Sequence, residues 1–378
     1  MPAPPAETPR FPHLDALRGV AAACVLIYHV AFSSALSPVW LRHVPAFVNT
    51  LGHTLQHGVE VFFVLSGWVI AHSMRRDSLR FDSIGRFLGR RALRLTPPYW
   101  AAILLSLAFG LAARRLGSGD APPSVAKIAL NLVYLQNIFK SGNVFTPAWT
   151  LCIEAQFYVV FAAILAFSAA IGRGAQSDEP FGRARTSLGF LLFGSALASM
   201  FAALKWNDQV VFVWWWFYFA VGALGYLSTR DTRFRPLVAV VVIAMSGASV
   251  WLTKHPARYS DDWQSLSVGL VGLSFLLLAH GRETWTNWGR AGVFEWLGRV
   301  SYSLYLTHFG FGLLLARAFR KISRDNAALA FGLIALDMAL CLVLAGLFWK
   351  WIERPSMEWA KRFKLKGDAP REPVGTSA

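Results

Sequence analysis

Apolar residues along this chain come in blocks that are too long for strands and too unbroken for amphipathic surface helices. Ten such runs recur from one end to the other: Val20–Ala35, Val59–Ala71, Tyr99–Ala112, Trp149–Ile171, Ser187–Ala203, Val210–Leu227, Leu237–Leu252, Leu266–Ala279, Val300–Ala316 and Ala327–Trp351. Several reach the roughly 20 residues that carry an α-helix across about 30 Å of hydrocarbon, and the shorter ones do so with their flanks. The pattern predicts an all-α fold, a polytopic membrane bundle of about ten transmembrane helices. Residues 14–357 form that transmembrane domain, with no stretch left for a separate soluble one. The Pro-rich segment 1–13 is expected to be mobile, and the basic, then polar tail 358–378 to be disordered.

Three features punctuate the pattern. Pro97-Pro98 marks the start of the third span rather than its interior, because proline inside a helix removes a hydrogen bond. The loop Arg114–Pro147 contains a short apolar segment, Val125–Phe139, read as an interfacial or re-entrant helix; were it to cross the membrane, every later segment would change side. Trp214-Trp215-Trp216 suits an aromatic anchor at the bilayer surface. There is no internal repeat of the kind that marks inverted-repeat transporters.

Composition agrees. Of 378 residues, 55% are hydrophobic and only 15% charged, against about a quarter in soluble domains. The net charge of +16 raises the question of a nucleic-acid partner, and its distribution answers it. With a cytoplasmic N-terminus and ten spans, 25 Lys/Arg fall on the inner face and 12 on the outer, the bias of the positive-inside rule. This places the protein in a bacterial-type inner membrane, with both termini cytoplasmic, lipid contacts and no nucleic-acid partner. The outer loop Arg317–Arg324, with four basic residues, is the exception. Cys24, Cys152 and Cys341 all lie in apolar runs, so neither a disulfide framework nor a metal site is expected. A cleavable signal ending at Ser33-Ser34-Ala35 is conceivable in composition, but Asp15, Arg18 and His29 argue for a retained helix.

Ionisable groups within a bilayer are costly and so are functional candidates. Arg18 and His29 are eleven residues apart, about three turns, and share one face of the first span at depths about 16 Å apart. A histidine hydrogen-bonded to a nearby carbonyl is the bland reading of His29. Glu60 in the second span and Glu154 in the fourth are placed at a similar outer depth. A carboxylate beside an imidazole makes a general-base pair; a structural ion pair is the alternative. Gly67 reads as a small residue that lets helices approach. Ser301, Tyr305 and His308 follow i, i+4, i+7 and lie on one face of the ninth span, as a polar passage or as interhelical glue. On the inner side Arg91 and Arg94, one turn apart, can grip a phosphate, or serve only as topology determinants.

Together these residues resemble the acyltransferase-3 family of membrane acyltransferases. The resemblance is carried by Leu14-Asp15-Ala16-Leu17-Arg18-Gly19 with His29, Phe62-Phe63-Val64-Leu65-Ser66-Gly67, and Arg91-Ala92-Leu93-Arg94-Leu95-Thr96-Pro97. It continues in Trp149-Thr150-Leu151 leading to Glu154, Ser301-Tyr302-Ser303-Leu304-Tyr305-Leu306-Thr307-His308, and the closing Trp351-Ile352-Glu353-Arg354-Pro355. Individually weak, these motifs are specific in their order over about Phe11–Pro355.

The resemblance implies transfer of an acyl group, often acetyl, from cytoplasmic acyl-CoA as co-substrate, with no bound cofactor, to a hydroxyl of a glycan or secreted small-molecule acceptor. In it Arg91 and Arg94 match the family's proposed donor site and His29 its proposed catalytic residue. The pattern of residues adds Arg18 at the donor end and Glu154 or Glu60 in support of His29. Transfer is either direct or through a covalent acyl-enzyme on His29 or a tyrosine. Some members carry a fused SGNH hydrolase-like domain; without one, transfer has to finish inside the bundle or with a separate partner. Two rival expectations stand beside this: a non-enzymatic exporter of a lipid-linked or acidic small molecule, and a structural subunit of a glycan-synthesis complex.

Overall fold

The structure, a computed structural model, describes residues 12–73, 81–115, 117, 121–173, 180–205, 212–255, 262–280, 282 and 292–362. Every regular element among them is helical. The helices are α1 (Pro12–Ile27), α2 (Ser37–Leu41), α3 (Ala46–Thr54), α4 (Gly58–Ser73), α5 (Phe81–Arg115), α6 (Val125–Leu132) and α7 (Ala148–Arg173). There follow α8 (Pro180–Lys205), α9 (Trp216–Arg230), α10 (Arg235–Thr253), α11 (Asp262–Ala279), α12 (Gly292–Ser323), α13 (Ala327–Phe348) and α14 (Arg354–Arg362). The predicted segment 1–13 lies outside the described residues apart from Pro12 and His13, which open α1. Of the predicted tail, 363–378 lies outside them, and Glu358–Arg362 is helical.

Each of the ten apolar runs falls on a helix, but among the described residues seven helices are long and apolar enough to cross a membrane. The predicted count of about ten is not reached by that measure. The run around α9 has a helix of 15 residues, about 22 Å long, while the 32 residues of α12 are interrupted by polar positions. The segment Val125–Phe139 holds an eight-residue helix, α6, about 12 Å long, which is too short to cross.

Seven helices close a ring, α1–α12–α5–α7–α8–α9–α4 and back to α1, with α13 packed outside α12, α2 and the turn Tyr28–Phe32 that follows α1, and α10–α11 outside α9 and α4. The ring is polar inside and apolar outside. Ile243 is 70% and Leu104 68% exposed, whereas Glu60, Ser303, His308, Asp337 and Glu353 are buried. Lipid inverts the usual sorting in this way, because a polar side chain finds partners only within the protein.

Small residues set the spacing of the ring. A Cβ on Gly19 would lie 2.6 Å from the Gly298 nitrogen, and one on Gly298 would collide with the Asp15 carbonyl, so α1 and α12 touch backbone to backbone. Gly67 of α4 and Gly222 of α9 make the second such contact, each facing a carbonyl oxygen of the other helix, Phe219 and Val64. The reading of Gly67 as a close-approach residue thus describes the packing.

One expectation is corrected. Pro97 and Pro98 lie inside α5, which runs unbroken from Phe81 to Arg115. The helix survives because a neighbour takes over a freed carbonyl, the usual route in membrane helices. Pro97 cannot donate to Leu93, whose oxygen instead accepts from the Ser356 hydroxyl at 3.4 Å. Arg91 and Arg94 therefore belong to the same rigid rod as the apolar half of the span.

Gly67→Val should lower the apparent melting temperature in detergent, with a loss of about 2 kcal/mol or more from overpacking. Gly247→Ala in α10, where a Cβ meets nothing within 4 Å, should leave it unchanged. Equal melting of both variants would contradict the close-contact assignment.

Candidate active site

The ring encloses a cavity of about 810 Å³ lined by residues of α1, α4, α5, α7 and α12. One end is basic. Arg18 of α1 and Arg91 and Arg94 of α5 line it, and Arg94 is near enough to both others to feel their charge. The Arg91 guanidinium lies over the Tyr158 ring at 5.6 Å. Among the described residues no carboxylate forms an ion pair with Arg91 or Arg94; Glu353 acts on Arg18 and Arg94 at longer range. Three guanidinium groups around one space repel each other, and a polyanion relieves that repulsion with fork-shaped hydrogen bonds.

Midway along the cavity stands Glu154. It accepts hydrogen bonds from the Ser66 hydroxyl at 2.7 Å and from the Tyr158 hydroxyl. One turn earlier on α7, Thr150 bonds the Tyr305 hydroxyl at 2.8 Å, closing the far end. Behind Tyr305 its ring meets that of His308, 5.9 Å between centroids. His308 in turn touches His29, with Nε2 and Nδ1 3.1 Å apart. A continuous set of polar groups therefore runs from the three arginines, past Glu154 and Tyr305, to a pair of histidines.

The tautomers of that pair follow from its partners. The Nδ1 of His308 faces the Leu304 carbonyl at 2.8 Å, and the Nδ1 of His29 faces the Val25 carbonyl at 3.0 Å. Carbonyls only accept, so both Nδ1 atoms carry hydrogen. The Nε2 of His308 is then an acceptor for the His29 Nδ1–H, and the Nε2 of His29 keeps its lone pair. The one Nδ1–H of His29 is thus shared between the Val25 carbonyl and the His308 Nε2, which fixes the orientation of the ring. Its backbone is unusual too. Tyr28–Phe32 is a π-helical turn, a device frequent at functional sites, and the Trp40 indole donates to the Ala31 carbonyl at 2.9 Å.

The predicted residues divide as follows. Arg18, Arg91, Arg94, Glu154 and Tyr305 share the cavity, and His308 and His29 adjoin it. The carbonyl-bonded reading of His29 and its pairing with another group both hold. The expected carboxylate partner of His29 is instead His308. Glu60 turns away, pairing with His57 at 3.0 Å and accepting from Ser265 of α11 at 2.7 Å, which ties helices together. Ser301 donates to the Gly298 carbonyl at 2.8 Å and does not line the cavity. Glu154 lines the same cavity as the arginines, whereas His29 lies beyond Tyr305 and His308. Loop 133–147 covers the start of α7, where Gln136 and Asn137 donate to the Ala148 and Trp149 carbonyls. The helix thus begins inside the bundle, with Ala148 fully buried.

Tyr158, Thr150 and Tyr302 were missed as cavity residues; hydroxyls in spans are too common to single out. Two buried carboxylates were also passed over. Glu353, in a second π-helical turn (Trp349–Glu353), accepts from the Ser303 backbone N–H at 3.2 Å and hydroxyl at 2.5 Å. Asp337 of α13 accepts from Cys341 at 3.5 Å. Among the described residues no group of three or more His, Cys, Asp and Glu converges as a metal site would.

Known proteins agree with this architecture. Residues 11–346 match the family model described as an acyltransferase domain. A protein of Komagataeibacter xylinus named "Putative membrane-bound transacylase" is 27% identical, over 92% of this chain and 83% of its own length. One of Staphylococcus aureus named "Putative O-acetyltransferase" is 25% identical over 91% of this chain, which spans only 57% of that relative. A Streptomyces mycarofaciens protein named "Acyltransferase" is 29% identical over 42% of this chain and 40% of its own. No solved structure matches. The family match decides against the exporter and structural-subunit readings. A chain matched over nearly its whole length, with several membrane-crossing helices around one polar cavity, is a multi-pass membrane acyltransferase of the acyltransferase-3 family.

Proposed function

We propose that the protein is an O-acyltransferase that carries an acyl group, acetyl in the simplest case, from acyl-CoA to a hydroxyl of a glycan or other surface or secreted acceptor. The observation that carries the reading is the single cavity with three arginines at one end and, behind Tyr305, the His29–His308 pair at the other. The arginine end faces the cytoplasm of a bacterial inner membrane, by the charge bias of the loops, and the histidine end faces outward. The O-acetyltransferase name of the S. aureus relative supports acetyl and an oxygen acceptor.

In this reading Arg18, Arg91 and Arg94 hold the phosphates of the donor, and the acyl-bearing arm extends along the cavity. From Arg18 to His29 it has to bridge about 16 Å along α1. The Nε2 of His29 takes the proton of the acceptor hydroxyl. The oxygen attacks the thioester carbonyl carbon, the new C–O bond forms and the C–S bond breaks. The imidazolium, stabilised by the His308 Nε2 that accepts its Nδ1–H, returns the proton to the departing thiolate. Glu154, fixed by Ser66 and Tyr158, balances positive charge between the two ends.

His29→Ala should lower turnover by about 100-fold or more, the range for loss of a general base, with unchanged elution in detergent; wild-type turnover in that variant would sink the assignment. Arg94→Lys should raise the apparent KM for acetyl-CoA about tenfold with kcat little changed, because lysine lacks the fork. An unchanged donor dependence in Arg94→Lys and Arg91→Ala would remove both from the donor site.

A further inference from the structure

At the end of the bundle away from the arginines lies a second space, an open groove of about 790 Å³ between loop 136–143 and the first turns of α7 and α9. Its walls are two indoles, Trp149 and Trp215, with ring centres 5.0 Å apart and planes at 47°, so that they open as a V. The amide side chains of Gln136, Asn137 and Asn143 line the rest, with Lys140 at the rim. Among the described residues the lining contains no carboxylate.

Two of those amides are incompletely used. Gln136 is fully buried; its nitrogen donates to the Ala148 carbonyl at 3.1 Å and the Tyr99 hydroxyl at 3.4 Å, while its oxygen has no partner. The Asn143 side-chain oxygen is likewise covered and unpartnered. A buried carbonyl without a donor is costly and calls for an explanation. The loop that presents them turns through two left-handed residues, Lys140 at φ 50° and Gly142 at φ 78°, the second of which costs a glycine nothing.

Indole faces beside unpaired carbonyl acceptors suit a ring that is apolar on its face and bears hydroxyls on its edge. A lipid chain would cover the indoles and leave the carbonyls empty. An aromatic anchor would hold its rings out to the membrane, but here the two indoles face each other and Trp216 is 3% exposed.

The groove also adjoins the reaction cavity. Trp149 and Trp215 pack on Phe63 at 6.4 and 5.9 Å, and Phe63 lines the cavity. The residue after Trp149 is Thr150, which holds Tyr305. One layer of side chains separates the two spaces.

We propose that this groove is a saccharide-binding subsite: Trp149 and Trp215 pack on a pyranose ring of the acceptor, and Gln136 and Asn143 accept hydrogen bonds from its hydroxyls. The assignment rests on the acyl-transfer reading, to which it adds the class and seat of the acceptor. The absence of carboxylates and the ammonium of Lys140 admit neutral and acidic sugars alike.

The test uses the full chain in lipid nanodiscs on an array of neutral, amino-sugar and uronic-acid pyranose oligosaccharides, with acetyl-CoA binding measured in parallel. Wild type should capture a chemically related group of saccharides. Trp215→Ala and Asn143→Ala should lower capture at least tenfold, Trp215→Phe should keep at least a third of it, and all three should bind acetyl-CoA as wild type does. Asn143 is half-buried on a loop, so Asn143→Ala remains informative if Trp215→Ala does not fold. Capture of no saccharide by wild type, or equal capture by wild type and folded Asn143→Ala, overturns the groove assignment. Acetyl-CoA binding that persists in that case leaves the donor reading standing; its absence from wild type sinks the donor reading instead.

Discussion

The structure depends on one backbone contact, where α1 and α12 meet through Gly19 and Gly298 without room for a Cβ on either. From that point both helices run in the same direction, and ten residues further on each presents a histidine. Ten residues are about 15 Å of helix, so glycines in contact at one depth deliver His29 and His308 in contact at another. The same approach sets Arg18, one residue before Gly19, at the cavity wall. A side chain at either glycine would separate the helices and with them the imidazole pair.

Everything polar in the interior answers to the rule that a bilayer supplies no hydrogen bonds. Glu154 is held by Ser66 and Tyr158, Glu353 by Ser303, Glu60 by His57 and Ser265, and the carbonyl that Pro97 frees in α5 is taken up by Ser356. The pairing is not complete. Arg91 and Arg94 have no ion-paired carboxylate among the described residues, whereas Arg18 pairs with Asp15 at 4.0 Å. The covered atoms without a partner include the amide oxygens of Gln136 and Asn143 at the groove, and also Glu60 Oε2, Asp337 Oδ2 and Gln264 Oε1 elsewhere in the bundle.

Much of this was legible in the sequence. Apolar blocks marked where the helices lie, although only seven helices among the described residues are long and apolar enough to cross a membrane. The sequence singled out Arg18, Arg91 and Arg94, which line one cavity, and His29, which adjoins it. What one sequence could not express was which faces converge. Glu60 and Glu154 look equivalent as lone carboxylates near span ends, yet α4 turns Glu60 toward α11, while α7 carries Glu154 into the cavity. The π-helical turns at His29 and Glu353 have no hydropathy signal; only Pro355, which cannot donate, hints at the second. The prolines misled for a related reason, since the group that rescues α5 lies more than 200 residues away.

Acyl transfer as proposed needs a path from the arginine-lined cavity past Tyr305 to the histidine pair that adjoins it. A cryo-electron microscopy structure with a non-hydrolysable acetyl-CoA analogue tests it most directly. The account predicts phosphates on Arg18, Arg91 and Arg94, the pantetheine arm past Glu154, and the acyl end at Tyr305 beside His308 and His29. Phosphates seated elsewhere, or an acyl end that stops at the arginine mouth with Tyr305 untouched, would contradict it.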